Sequence, residues 1–272
     1  MIQLKSPREI DVMAEGGRIL ASTHMLLEQH LRPGISTAEL DRLAEDFIRS
    51  HDDATPAFKG LYGFPGSVCI SLNEEIVHGI PSRRRILKEG DLISLDLGVK
   101  FGGLFTDSAW TFAVGEVDAV TRRLMEVTER ALVEAIAAAT VGNHVGDIGA
   151  AVQRVVEPTG FSIVRDLVGH GVGYSPHEDL QVPNIGKPKR GRRLEAGLTI
   201  AIEPMVNVGT DRTRTLSDKW TVVTADGARS AHYEHTVAVT EHGPRILTER
   251  PGARSGAAAQ QSAVGDQSRV AG

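Results

Sequence analysis

Hydrophobic positions in the first fifty residues recur at helical spacing and predict two helices. The first begins at Ser6-Pro7-Arg8-Glu9, where serine is a good N-cap, proline suits the first turn and glutamate completes a capping box. Pro33-Gly34 ends this helix. A second capping box, Ser36-Thr37-Ala38-Glu39, predicts a helix that ends at about Ser50. Strand-like segments follow, so the first part of the chain consists of helices and then strands.

The same order returns in the second part of the chain. Asp118 caps a helical stretch that continues to Gly142, and Val145–Val156 predicts a further helix before Pro158 and Gly160. Strand-like segments follow again. Because helices followed by strands occur twice, the pattern predicts an α+β fold. We expect the helices to pack on one side of a mainly antiparallel sheet, with the functional site between the halves.

These elements predict one folded domain, residues 1–249, with halves of about 1–116 and 117–249. Residues 250–272 are rich in glycine, alanine, glutamine and serine, which predicts a disordered C-terminal tail. The whole chain has 272 residues, of which 41% are hydrophobic and 24% charged. Such a composition is typical of a globular protein with a sizeable core.

The charge and the cysteine content of the chain indicate in which compartment the protein is located and which partners it can bind. A formal net charge of −5 gives no general basic field for nucleic acid. One local basic run is either a solvated loop or a contact for ribosomal RNA; it contains Lys187, Lys189, Arg190, Arg192 and Arg193. The single cysteine, Cys69, cannot form an internal disulfide, which suits a reducing compartment. Neither a signal peptide nor an apolar run long enough to span a membrane is evident, so we expect a cytoplasmic protein.

Two aspartates lie on successive strand-like segments. Asp96 occupies the polar face of Leu92–Val99, so its carboxylate points away from the apolar layer. Asp107 follows Gly102-Gly103 and opens a second strand, 108–114. A hairpin would bring the two carboxylates onto neighbouring strands, although each aspartate could equally be an ordinary turn or strand-end residue.

Further residues that could bind metal or transfer protons follow in the second half. His170 lies in the glycine-rich Gly169–Gly173, where the backbone can approach a ligand or an ion closely, and His177 lies in the loop beyond. Glu203 ends a buried strand before a proline, a position where a carboxylate needs a partner. Glu234 opens an alternating strand that could also be an exposed edge.

The chemistry of this set favours a metal centre. The set contains two aspartates, two glutamates and one histidine, so most of its possible ligand atoms are carboxylate oxygens. Such a set suits a pair of divalent ions better than a lone zinc ion. Four carboxylates in one pocket would raise each other's pKa values unless positive charge lay among them. Cobalt, manganese, iron and zinc all accept such ligands. The candidate set is Asp96, Asp107, His170, Glu203 and Glu234, with His78 and His177 as further imidazoles.

The order and spacing of these residues resemble type I methionine aminopeptidases, in the short bacterial form. The resemblance covers residues 4 to 247 and depends on the motifs Asn73–Pro81, Gly169–Gly173, Ile202–Met205 and Tyr233–Thr236. It implies the pita-bread fold, in which two pseudo-symmetric halves enclose a dinuclear metal site. The implied activity is hydrolysis of the N-terminal methionine from peptides and nascent proteins with a small second residue.

The resemblance also implies a role for each residue. The metal ligands would be Asp96 and Asp107 for one ion and Asp107, His170, Glu203 and Glu234 for the other, with Asp107 and Glu234 bridging the two ions. His78 would hydrogen-bond the scissile amide or the amino end of the substrate. His177 would stabilise negative charge on the carbonyl oxygen, and Glu203 would carry a proton to the leaving amine.

By the same resemblance, the methionine side chain would enter a soft apolar pocket, which suits a thioether. The pocket residues would be Phe64, Cys69 and Trp220, with Leu61 and Tyr62 near its mouth. The chain departs from the family at Leu61 and Pro176, where aromatic residues are common, and at Gly102–Asp107. The side-chain preference is therefore less closely specified than the chemistry. Each aromatic residue could also be a core residue.

The implied substrates are deformylated nascent chains, with transient ribosome contact and a monomeric enzyme. The short segment between His177 and Glu203 lacks the insertion of type II enzymes, and no zinc-binding extension precedes the first helix. Prolidase and aminopeptidase P are the nearest alternatives, but those enzymes carry a large N-terminal domain. A binding module of the same fold, or a metal-free enzyme that resembles creatine hydrolase, would be expected to lack several of the carboxylates.

Overall fold

The computed structural model describes residues 2–250, and residues 251–272 of the predicted C-terminal tail lie outside this range. The helices are α1 (Pro7–His30), α2 (Thr37–Arg49), α3 (Ala119–Ala137) and α4 (Val145–Val156), with short 3-10 turns at Leu61–Gly63 and Glu157–Thr159. The strands are β1 (Ala54–Pro56), β2 (Val68–Leu72), β3 (Glu75–Val77), β4 (Leu92–Phe101), β5 (Leu104–Ala113), β6 (Ser162–Ile163), β7 (Gly169–Gly171), β8 (Glu178–Val182), β9 (Thr199–Ile202), β10 (Met205–Asn207), β11 (Thr213–Thr215), β12 (Val222–Thr224), β13 (Ser230–His232), β14 (His235–Thr240) and β15 (Gly243–Ile246).

The helix starts follow the predicted capping residues. Ser6 Oγ accepts the Glu9 N–H at 3.3 Å, and the Glu9 carboxylate accepts the Ser6 N–H at 2.8 Å, which completes the capping box of α1. Asp118 caps α3 by accepting the Thr121 N–H at 2.7 Å. The predicted bounds of α4 are confirmed.

The end of α3 differs from the prediction. The helix ends at Ala137 and not near Gly142. The side-chain amide of Asn143 donates to the Ala138 carbonyl at 2.9 Å, and the Gly142 N–H donates to the Leu194 carbonyl at 3.0 Å. A side-chain cap and a partner that is distant in sequence therefore end the helix one turn early.

The described strands pair antiparallel throughout, in four sheets. In one sheet β4 pairs with β1, β2 and β5. A five-stranded sheet has the order β15-β14-β9-β7-β8, and two three-stranded sheets have the orders β13-β10-β6 and β11-β12-β3. The apolar face of β4 packs against α1 and α2, and β9 and β14 pack against α3 and α4.

The β4–β5 hairpin places the two predicted aspartates side by side. Gly102 and Gly103 form its two-residue turn with φ angles of 55° and 84°, a conformation that glycine adopts without strain. Asp107 pairs with Gly98, so it lies diagonally next to Asp96 on the same face. The prediction that Asp107 opens its strand was wrong, because β5 already begins at Leu104.

The sheet that packs on α1 and α2 meets the sheet that packs on α3 and α4 beside Asp107, and we call this contact the seam. Its N–H donates to Thr236 Oγ1 at 2.8 Å, and Thr236 Oγ1 donates to the Asp107 carbonyl at 2.8 Å. The Glu234 N–H donates to the Ala109 carbonyl at 2.8 Å. Hydrogen bonds of Asp107 and Glu234 therefore join β5 to β14 and to the residue that precedes it. No helix within residues 2–250 has the length and apolar composition needed to cross a bilayer.

Candidate metal centre and substrate cavity

A cavity of about 370 Å³ collects the side chains that the sequence singled out. The polar residues in its wall are His78, Asp96, Asp107, His170, His177, Glu203 and Glu234. The predicted pocket residues Leu61, Tyr62, Phe64, Cys69 and Trp220 line it as well. The structure thus brings together residues that are up to 173 positions apart, from Leu61 to Glu234.

Five different segments supply the candidate ligands. Asp96 lies on β4, Asp107 on β5 and His170 on β7, whereas Glu203 follows β9 and Glu234 precedes β14. Ligand atoms of Asp107, His170 and Glu234 all lie within 4.8 Å of one another. His170 Nε2 lies 3.6 Å from Glu203 Oε1 and 4.0 Å from Asp107 Oδ2.

Several buried oxygens of the carboxylates lack a hydrogen-bond donor. Burial raises the pKa of Asp96 to about 7. Burial, together with neighbouring carboxylates, raises the pKa values of Asp107, Glu203 and Glu234 well above their ordinary range. One oxygen of each of Asp96, Asp107 and Glu234 is buried without a hydrogen-bond partner. Buried acceptors that converge without a donor fit divalent cations, which prefer oxygen ligands and supply positive charge.

His170 has the tautomer that a metal ligand requires. Its Nδ1 lies 2.9 Å from the Gly171 carbonyl, which can only accept, so Nδ1 carries the proton. Nε2 then presents its lone pair to Asp107 and Glu203. Burial lowers the pKa of His170 to about 4, which keeps the ring neutral near pH 7.

The two other predicted imidazoles line the same cavity. His78 follows β3 with φ of 61°, a left-handed conformation that is strained for a non-glycine residue. His177 lies with its ring centroid 4.4 Å from that of His170 and stacks on Tyr62 at 5.9 Å. Burial lowers the pKa of both His78 and His177, so each ring can donate one hydrogen bond in its neutral form.

An apolar pocket adjoins the charged end of the cavity. The ring of Phe64 meets that of Trp220 edge to face at 5.1 Å, and both rings belong to the apolar cluster that contains Cys69. Burial raises the pKa of the Cys69 thiol, so it stays protonated and apolar in character. Tyr62 is 75% exposed at the mouth. Of the two departures predicted to alter the walls, Leu61 lines the cavity, whereas Pro176 is not among its described lining residues.

His232 is a polar neighbour of the site that the sequence reasoning missed. Its ring is buried, Nε2 lies 3.7 Å from Glu203 Oε2, and neither ring nitrogen has a hydrogen-bond partner. Burial lowers the pKa of His232 to about 3. Extending the alternation of Glu234 and Thr236 two residues backwards would have found it. The apolar lining residues Phe58, Val77, Leu167, Val168 and Met205 carried no comparable signal.

The glycines around His170 allow neighbouring strands to approach closely. A Cβ atom on Gly169 would lie 2.3 Å from the Ala201 carbonyl oxygen, and one on Gly171 would lie 3.1 Å from the Glu178 side chain. The glycines therefore permit close approach of neighbouring strands, and the predicted approach to a ligand or an ion stays a prediction. Glycine is required because β7 lies tightly between β8 and β9.

Known proteins with this combination of fold and residues share one family. Residues 11–241 match metallopeptidase family M24. The chain belongs to that family. It is 53% identical over 248 residues to a methionine aminopeptidase of Clostridium perfringens, a match that covers 91% of this chain and 99% of that protein. A solved methionine aminopeptidase structure from Thermotoga maritima superimposes with a TM-score of 0.89 at 42% identity and covers 92% of this chain and 100% of that chain.

Membership of M24 confirms the expected fold class and makes the protein a metal-dependent peptidase. A prolidase from Pyrococcus furiosus shares the fold, with a TM-score of 0.73, but is 22% identical, and the match covers 90% of this chain and 65% of that prolidase. Both fold and sequence therefore place the chain nearer to the methionine aminopeptidases than to that prolidase.

Proposed function

We propose that this M24 enzyme is a methionyl aminopeptidase that removes the N-terminal methionine from peptides and nascent proteins with a small second residue. One observation carries the proposal. A cluster of four carboxylates and one imidazole, with unpartnered buried oxygens, lines the same cavity as the apolar side chains of Phe64, Cys69 and Trp220. The charged end suits hydrolysis, and the apolar end suits methionine.

In this proposal two divalent cations would be held by Asp96, Asp107, His170, Glu203 and Glu234. Bound cations would lower the pKa of water and polarise the substrate carbonyl. The clustering of Asp107, His170 and Glu234 within 4.8 Å supports a common ion for these three. Asp96, next to Asp107 on the hairpin, supports the second ion.

The chain's own side chains would bind the substrate and move its proton. Burial raises the pKa of Glu203 above its ordinary range, which favours uptake of a proton, and Glu203 would pass that proton to the leaving amine. Neutral His78 and His177 would donate hydrogen bonds to the scissile amide and to the carbonyl oxygen. Phe64, Cys69 and Trp220 would bury the methionine side chain, a transfer that contributes about 1.5–3 kcal/mol.

The biological setting belongs to the same proposal. We place the enzyme in the cytoplasm as a monomer of one domain, with halves of about 1–116 and 117–249, acting on nascent polypeptides. The basic run is exposed, as a solvated loop or a transient ribosome contact requires; it contains Lys187, Lys189, Arg190, Arg192 and Arg193.

Peptide hydrolysis by reconstituted protein tests the proposal. Apoprotein is incubated separately with cobalt, manganese, iron and zinc and with Met-Gly, Met-Ala and X-Pro peptides. We expect metal-dependent release of methionine, lost in Asp107→Ala, His170→Ala and Glu234→Ala and retained in the control Asp52→Ala, which alters an exposed carboxylate. Full activity in any of the three ligand variants, or faster cleavage of X-Pro peptides, would refute it.

A further inference from the structure

The loop that carries His177 is closed by one carboxylate. Glu178 Oε1 accepts the Tyr174 N–H at 2.6 Å, so the side chain bridges the two ends of the loop. Inside it, Ser175 Oγ donates to the His177 carbonyl at 2.7 Å. Glu178 pairs with Gly171 of β7, the residue after His170. The carboxylate thus fixes the shape of the loop next to two imidazoles of the site.

The other oxygen of the same carboxylate binds a lysine from the N-terminal segment. Lys5 Nζ lies 2.5 Å from Glu178 Oε2, and it also donates to the Gln3 carbonyl at 3.1 Å. The Lys5 side chain is 0% exposed and that of Glu178 is 13% exposed. The Lys5 N–H donates to the Gly197 carbonyl at 2.7 Å, which holds the segment in place.

Lys5 contacts residues at both ends of the 174–178 loop. The Lys5 ammonium lies 4.8 Å from the centre of the Tyr174 ring, whose hydroxyl donates to Glu9 Oε1 at 2.6 Å. A Cβ atom on Gly173 would lie 2.2 Å from Lys5 Cε, so the lysine stem packs directly on the backbone before the loop. The Phe105 N–H donates to the Gly173 carbonyl at 2.7 Å, which connects the loop to β5.

Stability alone does not account for this arrangement. Replacing a buried ion pair by apolar side chains is often neutral or stabilising, because desolvation offsets the attraction between the charges. What a buried pair can supply is a defined geometry. Here the geometry that it defines is that of the loop bearing His177, whose ring lies 4.4 Å from that of His170.

We propose that Lys5 and Glu178 are positioning residues that hold the 174–178 loop so that the His177 ring stays directed into the cavity. Neither residue touches the substrate; both act through His177. The consequence for turnover rests on the proposed function, whereas the consequence for the order of the loop does not.

The test compares Lys5→Met with wild type and with Lys88→Met, which removes an exposed lysine. Hydrogen exchange of the 174–178 amides is measured in metal-loaded protein. We expect exchange at least about fivefold faster in Lys5→Met and unchanged in Lys88→Met. We expect kcat for Met-Ala peptides to fall about tenfold or more in Lys5→Met, with KM within about threefold and the metal content unchanged.

Two further variants separate positioning from general destabilisation. In a His177→Ala background, Lys5→Met should change kcat by less than about twofold, because the residue through which it acts is missing. Lys5→Met/Glu178→Gln removes the unpaired buried charge while the amide oxygen can still accept the Tyr174 N–H. This double variant should recover thermal stability but not kcat.

Two results on Lys5→Met alone would overturn the proposal: unchanged exchange of the 174–178 amides, or unchanged kcat. Two further results would also overturn it: an equal loss of kcat from Lys5→Met in the wild-type and His177→Ala backgrounds, or recovery of kcat together with thermal stability in Lys5→Met/Glu178→Gln. If wild-type protein releases no methionine with any metal, the proposed function fails. The exchange measurement still decides whether the pair orders the loop.

Discussion

Replacing Asp96 by asparagine should stabilise the metal-free protein at alkaline pH and destabilise the metal-loaded protein. The substitution keeps the volume of the side chain and removes its charge. In the absence of metal, the Asp96 carboxylate is buried next to Asp107, with one oxygen unpartnered. In the presence of metal, the same charge would hold a cation. Whether the substitution stabilises or destabilises the protein therefore depends on whether metal is bound.

The magnitude follows from the pKa of Asp96. Its value of about 7 in the folded protein lies about three pH units above the ordinary 3.8. Well below pH 3.8 the carboxyl group is protonated in both states. Between about pH 4 and 7 the unfolded chain has lost the proton while the folded protein still holds it, so the free energy of unfolding falls by up to about 4 kcal/mol over this range and the loss is complete above pH 7. Water that enters the cavity reduces this penalty, and we expect the substitution to recover about 2 kcal/mol at pH 8.5.

Thermal unfolding at two pH values measures this effect. At pH 8.5 in chelator, about 2 kcal/mol should raise the midpoint of Asp96→Asn by roughly 4–8 °C, and at pH 4 the midpoint should barely change. With saturating metal, the variant should unfold below wild type, because a ligand that binds only the folded state no longer binds as tightly. Asp52→Asn is the exposed control. A lower midpoint for Asp96→Asn at pH 8.5 in chelator, or an equal gain at both pH values, would refute the reasoning.

Two other substitutions probe single imidazoles. His177→Ala should keep the metal content of wild type, measured by elemental analysis, and lower kcat by about 100-fold or more, because a donor to the carbonyl oxygen is lost; loss of metal would contradict that role. His24 is fully buried with a pKa of about 3, so wild type should lose about 2 kcal/mol as the pH falls from 6.5 to 5, when only the unfolded chain takes up the proton. His24→Gln should lose correspondingly less stability in urea titrations over that range, and parallel losses would contradict the assignment.

The elements that the sequence predicted well have local signals. Ser6 and Glu9 cap α1 through bonds that span three residues, and Asp118 caps α3 in the same way. The alternation of Leu92–Val99 predicted the polar face of Asp96, because the strand packs on helices on one face only. Such features depend on neighbours within one turn or one strand, which a single sequence contains.

The features that were missed depend on distant partners. The end of α3 is set by the Leu194 carbonyl, far along the chain. The contacts of Gly169 with β9, and the pairing of Lys5 with Glu178 across 173 residues, have no local signature. His232 was overlooked because the alternation of Glu234 and Thr236 was not extended back into β13, which has only three residues. The candidate ligands were proposed from strand alternation, strand ends and glycine-rich sequence, and the order of the motifs then implied a role for each of them.

The seam at Thr236 has a consequence for how the protein matures. During translation, candidate ligands Asp96 and Asp107 are synthesised before Glu203 and Glu234. Thr236, which follows all of them, forms hydrogen bonds with Asp107 and so joins β5 to β14. A nascent chain that ends before residue 234 has neither the complete set of proposed ligands nor the hydrogen bonds to Thr236. In the proposed enzyme, metal would therefore be loaded late in synthesis, and a product truncated before residue 234 would lack part of the ligand set.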